Sequence, residues 1–309
     1  MIAALLAATV FVTNERAGTI SVIDAASQRV VKTIAAGTRT RGIALTPDGK
    51  RLYVAVSHFR DKPASTPDEI AVVDTASLRI IHRFKGGTDP EGVAIAPDGK
   101  RVYISNEDAA TASILDAATG KTMAALVVGT EPEGVAVSHD NRWTYITCET
   151  SNTVSVIDTK KATVVANFFV DARPRYAIFR RDSTIAYVSS EVGGSINVID
   201  VKQQRAIAHI RLGKLDHPVG MVLSPDEKRL YAATGRGNSI AVIDTATYRI
   251  LREIRVGERP WGIAMTHDGR RIYVANGLSN NVSVIDTAAG RVIATIPAGD
   301  GPWGVAIRE

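Results

Sequence analysis

Seven positions in the 309-residue sequence hold the side chains best placed to do chemistry together. They are Arg41, Glu91, Glu133, Arg175, Val219, Trp261 and Trp303. Each stands directly ahead of a recurring position that is glycine in six cases and Tyr176 in the seventh. Guanidinium and carboxylate groups offer charge-assisted hydrogen bonds, and indoles offer apolar area with a polar edge. Such a ring suits a polar small molecule or a protein loop. Glu107, Glu149 and Glu191 recur at 42-residue spacing and add carboxylates to the same place, as does Glu15. Of the six histidines, His58 and His217 are the two that could join them. A His/Glu group can hold a divalent ion, but no local ligand spacing accompanies these residues, so no metal or cofactor is assigned. The plainer reading is a solvated rim of intramolecular ion pairs.

A ring of this kind needs a scaffold that brings residues about 42 apart to one axis. Apolar-apolar-Asp recurs at Asp24, Asp74, Asp116, Asp158, Asp200, Asp244 and Asp286. An aromatic residue recurs at Phe11, Tyr53, Tyr103, Tyr145, Tyr187, Tyr231 and Tyr273. Each unit reads as four short β-branched or aromatic runs, here named A to D, punctuated by Gly, Asn, Asp and Pro. Four strands in 40–45 residues, seven times over, mark an all-β, seven-bladed β-propeller with four antiparallel strands per blade. The chain enters at a strand B and ends in a strand A. The ring therefore closes by pairing N-terminal strands B, C and D with a C-terminal strand A. Residues 10–309 form one propeller, preceded by an apolar extension or signal-peptide remnant at 1–9. The seven aspartates are expected to bond turn backbone, because a residue used alike in every blade cannot define one site.

Composition sets the outer limits. The chain is 45% hydrophobic and 22% charged, with a net charge of +5, an ordinary globular balance. The single cysteine, Cys148, rules out an intrachain disulfide and reads as a buried or idle thiol. No apolar run reaches the ~18 residues of a membrane helix. Basic pairs such as Lys50-Arg51, Lys228-Arg229 and Arg270-Arg271 lie beside acids. That reads as solvated turns rather than a phosphate track, so nucleic acid is not an expected partner. Neither a phosphate-binding glycine loop nor a nucleophile elbow is visible.

Tyr53-Val-Ala-Val, Tyr187-Val-Ser-Ser, Phe11-Val-Thr-Asn and Val282-Ser-Val-Ile-Asp-Thr resemble the YVTN-type β-propeller repeat. Glu131-Pro-Glu-Gly, Arg173-Pro-Arg, Ser189-Ser-Glu-Val-Gly-Gly and the ending Pro302-Trp-Gly-Val-Ala-Ile-Arg are similar to the seven-repeat propeller associated with PQQ-dependent catabolism of alcohols. The resemblance covers residues 10–309. It implies an exported protein, periplasmic or secreted, acting beside a PQQ-dependent dehydrogenase or transport component. It supplies no catalytic residues. The family starts with a full signal peptide, whereas only residues 1–8 precede the first strand here. No PQQ-cradling tryptophan repeat is present, so PQQ itself is not assigned.

Departures from the repeat point to the working face. One unit is eight residues longer within 57–69, between strands B and C, and another is two longer at 214–218, between D and A. Both connections lie at one end of a four-strand meander, the likeliest binding end. Tyr176 either narrows the channel or fills space against a neighbouring blade. The sequence thus points to a monomeric, non-catalytic binding or scaffold propeller taking a polar ligand or protein partner at this mouth. A lactonase-like hydrolase is the alternative, and single-stranded nucleic-acid binding ranks below it.

Overall fold

A computed structural model describes residues 8–59, 68–213 and 215–309. Its strands form seven four-stranded antiparallel sheets. Blades 1 to 6 run from inner strand A to outer strand D over residues 39–85, 90–127, 132–169, 174–211, 221–255 and 260–297. Blade 7 joins strand A at Pro302–Arg308 to strands B, C and D at Thr9–Asn14, Thr19–Asp24 and Arg29–Ala35. Its closing register pairs Thr9 with Arg308 and Phe11 with Ala306. Closure therefore follows the expected scheme. Among the described residues the one regular helical piece is a single 3₁₀ turn at Gly235–Gly237. None of their helices is long and apolar enough to cross a membrane.

The core lies between blades rather than within them. Phe11, Ile20 and Val22 of blade 7 pack on Leu52, Val54 and Ala71 of blade 1. Val10, Val12 and Ile23 of the same blade pack on Tyr273, Val282 and Val284 of blade 6. Strands B and C are buried on both faces, which is why their sequence is continuously apolar rather than alternating. Outer strand D alternates between exposed and half-buried residues because it has one wet face.

Each C–D turn is closed by the recurring aspartate. Asp24, Asp116 and Asp286, for example, accept the backbone N–H of Ser27, Thr119 and Ala289 at 2.6, 2.8 and 2.8 Å. Asp74, Asp158, Asp200 and Asp244 do the same in their blades. Inner strands approach so closely that glycine is needed near the axis: a Cβ on Gly92 would lie 2.3 Å from the Glu133 carbonyl oxygen. Tyr176 can take the equivalent place in blade 4, where the next inner strand is shortened to Met221–Leu223. The two ends of the ring differ. A–B and C–D turns form one end, the turn end. B–C and D–A loops form the other, the mouth.

Candidate functional site

At the mouth, each D–A loop enters strand A through an X-Pro-Y segment, or Arg39-Thr-Arg41 in blade 1. In blades 2, 3, 4, 6 and 7, X stands just before the first residue of strand A and Y is its second residue. Asp89, Glu131, Arg173 and Arg259 occupy X with φ near +50 to +60°, a left-handed conformation that costs such residues about 1 kcal/mol or more. The backbone is tied in place by B–C loop asparagines: Asn152 Oδ1 accepts the Arg173 N–H at 2.8 Å and Asn238 Oδ1 the Arg259 N–H at 2.9 Å.

These loops deliver a connected ion-pair network across five neighbouring blades, 7 and 1 to 4, and a sixth, blade 6. Arg39 Nε lies 3.0 Å from Glu15, while its Nη1 reaches Asp89 at 2.8 Å and Glu91 at 3.0 Å. Arg41 Nη1 contacts Glu91, and its Nη2 lies 3.5 Å from Glu133. Arg175 Nη1 contacts Glu133 and lies 2.6 Å from Glu149, while its Nε lies 2.6 Å from Glu191. Arg173 reaches Glu149 at 2.5 Å, and Arg259 reaches Glu191 at 2.8 Å. Trp261 and Trp303 stack with centroids 6.3 Å apart. Arg41 lies over Trp303 at 4.8 Å, and Arg259 over Trp261 at 4.5 Å, a geometry favourable for cation–π attraction.

The ion pairs expected on a solvated rim are therefore present, but they are buried. Glu91 has no exposed surface and Glu133 and Glu191 almost none. Desolvation decides how they ionise. Burial works against a charge on Glu133, yet Arg175 and Arg41 override it and hold this carboxyl at about 2. Burial pushes Glu149 up to about 7, helped by the charge on Glu133 and opposed by Arg175 and Arg173. Complete burial also drives Glu91 upward, against the pull of Arg41.

Most of the candidate residues thus meet at one place: Arg41, Glu91, Glu133, Glu149, Arg175 and Glu191 in the network, with Trp261 and Trp303 beside it. Glu107 groups with Asp89 and Glu91, their nearest carboxylate oxygens within 4.8 Å of one another. Arg39 already pairs with two of these three acids, so the trio reads as ion-pair partners rather than as metal ligands. His58 bonds Asp68 at 2.8 Å, and Asp68 in turn accepts the Asp89 N–H. His217 sits beside Asp216 and is no member of the network. Residues 60–67 of the longer B–C connection, Lys214 of the longer D–A loop and residues 1–7 lie outside the described residues. Cys148 is buried, as expected for an idle thiol.

Arg39, Asp89, Arg173 and Arg259 were missed as site residues. The available signal was their place two residues before the Y position, in the same connection. Inside the mouth, the channel cavity has a volume of about 110 Å³ and is walled by Ile43, Val93, Val135, Ile263 and Val305 below a rim that includes Glu133, Arg175, Tyr176, Trp261 and Trp303. Tyr176 is 38% exposed and lines this cavity, so it narrows the channel.

A closed seven-bladed ring with a charged, aromatic mouth defines a β-propeller of the YncE and lactonase type. The chain belongs to the YNCE-like beta-propeller family, whose sequence profile matches residues 66–224. The profile of the seven-bladed beta-propeller lactonases matches residues 164–292. The uncharacterised YncE proteins of Salmonella typhi and Salmonella typhimurium are 44% identical over 62 residues, 19% of this chain and only 18% of theirs. In fold, the chain is similar to the hydrazine synthase of Kuenenia stuttgartiensis, with a TM-score of 0.77 at 20% identity, covering 86% of this chain and 88% of that one. A protein of unknown function from Desulfotomaculum acetoxidans gives 0.82 at 15%, covering 97% and 98%. A candidate 6-phosphogluconolactonase from Bacteroides fragilis gives 0.82 at 16%, covering all of both chains. Membership of the PQQ-associated branch finds no support in these likenesses.

Proposed function

We propose that this chain is a non-catalytic docking propeller that holds a protein partner on its mouth. The observation that carries this is the placement of exposed apolar side chains. Phe169, Val127 and Leu215 are 79, 78 and 76% exposed, and Val192 and Leu278 follow. All five lie on D-strand ends or loops of the mouth end, spread over neighbouring blades, and exposed apolar side chains gathered at one end favour an interaction surface. One further fact favours docking over catalysis: the charged groups of the mouth are engaged with one another.

On the resemblance described above, the partner is proposed to be a PQQ-dependent dehydrogenase or an associated transport component, met in the periplasm or outside the cell by a monomeric propeller. Nucleic acid stays outside the proposal. The basic turns are partly neutralised: Arg229 lies 2.7 Å from Asp244 and Arg271 2.5 Å from Asp286. The test is sedimentation of the purified chain with the purified dehydrogenase of its own organism. A complex weakened at least tenfold by Phe169→Ser with Leu215→Ser is expected. A complex indifferent to both changes would place docking elsewhere.

A lactonase-like hydrolase is the second reading. It is favoured by the lactonase profile over residues 164–292 and by two adjoining carboxyls with displaced acidities, an arrangement that can divide acid and base roles. Lactone hydrolysis abolished by Glu149→Gln would replace the docking assignment with this one.

A further inference from the structure

Six of the seven junctions between neighbouring blades are drawn tight at the axis. At Gly42, Gly92, Gly134, Gly220, Gly262 and Gly304 a Cβ would stand 2.9 Å or less from a carbonyl oxygen of the next blade. Glycine is what permits backbones to approach that closely. The seventh junction, from blade 4 to blade 5, has Tyr176 in the glycine's place. A side chain at that point holds the two backbones apart.

Strand B hydroxyls single out the same junction. Thr13 accepts the Gly304 N–H at 2.8 Å and donates to the Arg41 carbonyl of the next blade at 2.8 Å. Ser105 joins blade 2 to blade 3 in this way, between the Gly92 N–H and the Glu133 carbonyl. Thr147 joins blade 3 to blade 4, between the Gly134 N–H and the Arg175 carbonyl. Ser189 is their counterpart in blade 4. It accepts the Tyr176 N–H at 3.2 Å but turns its own proton back to the Tyr176 carbonyl at 3.4 Å, so the bond stays within blade 4. Beyond it, the inner strand of blade 5 keeps only Met221–Leu223, where the other inner strands run six or seven residues. Val219 gives blade 5 no charge at the Y position. At the mouth, the 2.8 Å pair of Arg259 from blade 6 with Glu191 from blade 4 passes over blade 5.

We propose that the ring has a built-in opening point at the junction of blades 4 and 5, with Tyr176 as its wedge and the Arg259–Glu191 pair as a strap across it. Local opening starts in segments with few backbone bonds and little close packing, and the inner strand of blade 5 is that segment here. Tyr176, Val219 and Gly220 all line the channel cavity, so parting them widens the channel sideways while the glycine junctions stay shut. The strap acts from outside the moving strand: it ties blade 6 to blade 4 and confines blade 5 between them.

The test is amide hydrogen exchange of the full chain, followed residue by residue by NMR. The amides of Met221–Leu223 are expected to exchange at least roughly tenfold faster than those of residues 135–137 and 263–265, their counterparts in blades 3 and 6. A short strand also frays unaided, so two variants separate a wedged junction from fraying. Tyr176→Gly lets the backbones close and should slow exchange at Met221–Leu223 at least about threefold, with residues 135–137 unchanged. Arg259→Gln cuts the strap and should speed it at least about fivefold. Equal protection of the three inner strands would overturn the proposal. So would fast exchange at Met221–Leu223 that neither variant moves in the stated direction.

Discussion

Arg41 and Arg271 do the same formal job, each pairing with a carboxylate, at opposite ends of the propeller. Arg271 is 37% exposed on its side chain and lies 2.5 Å from Asp286 in a solvated turn. Arg41 is 7% exposed and contacts Glu91, which has no exposure at all. At the turn end each aspartate serves its own turn, and losing one leaves the others untouched. At the mouth Arg39, Arg41, Arg173, Arg175 and Arg259 each pair with a carboxylate on another blade. A repeated residue therefore builds the ring locally, while the residues that differ between repeats bind the blades to one another.

The largest effect should come from breaking the ring that makes the two ends distinct. Deleting 302–309 removes strand A of blade 7 and exposes Val10 and Phe11, so the Tm is expected to fall by more than ~10 °C in a circular-dichroism melt. A truncated chain that melts like the parent would mean the blade 7 pairing is dispensable. Next comes the direct contrast. Arg41→Ala leaves the buried Glu91 only Arg39 as an ionic partner and should cost about 3 kcal/mol, against less than ~1 kcal/mol for Arg271→Ala, both from urea unfolding. Equal losses would erase the difference between the ends.

The pH dependence separates the ends a third way. Glu149 is raised from 4.5 to about 7 on folding, so the folded chain binds more protons than the unfolded one in that window. Its contribution is fully present below about 4.5 and is lost as pH rises through about 7. Glu133 acts oppositely: held at about 2, it stabilises above 4.5 and loses that as pH falls toward 2. Glu149→Gln should flatten the decline between pH 5 and 7, a change on the order of 1–2 kcal/mol after solvent screening. An unchanged profile would separate Glu149 from that decline. Asp286→Ala removes the Ala289 turn bond and the solvated Arg271 pair and should lower the urea midpoint only slightly. Phe169→Ser, on an exposed side chain, should shift stability by no more than ~0.5 kcal/mol while still weakening the complex.

The fold was readable because its signals are periodic. Seven aspartates and seven aromatics fix the blade count, and alternation along strand D betrays its wet face. The mouth was readable in membership but not in state. That Arg41, Glu133 and Arg175 would converge follows from their shared place in the repeat. Their burial does not, because it depends on how far loops from neighbouring blades fold over them. Nor does the hub role of Arg39, since Thr40 replaces the proline seen in other blades and hides the X–Y pairing. Tyr176 looked like a packing residue as readily as a channel residue. The shortened strand at Met221–Leu223, which makes room for it, left no clear mark in the composition of that loop.

Strand B of blade 7 begins at Thr9 and strand A ends at Arg308, and the two residues are paired neighbours, their side chains 3.2 Å apart. Both chain directions therefore leave from the turn end. Anything fused to either side, whether a tether, a tag or a surface linkage, holds the molecule by its base and turns the mouth outward. A sensor chip coupled through either terminus, or through the turn lysines Lys50, Lys100, Lys121, Lys160, Lys161, Lys202 and Lys228, would display the docking face.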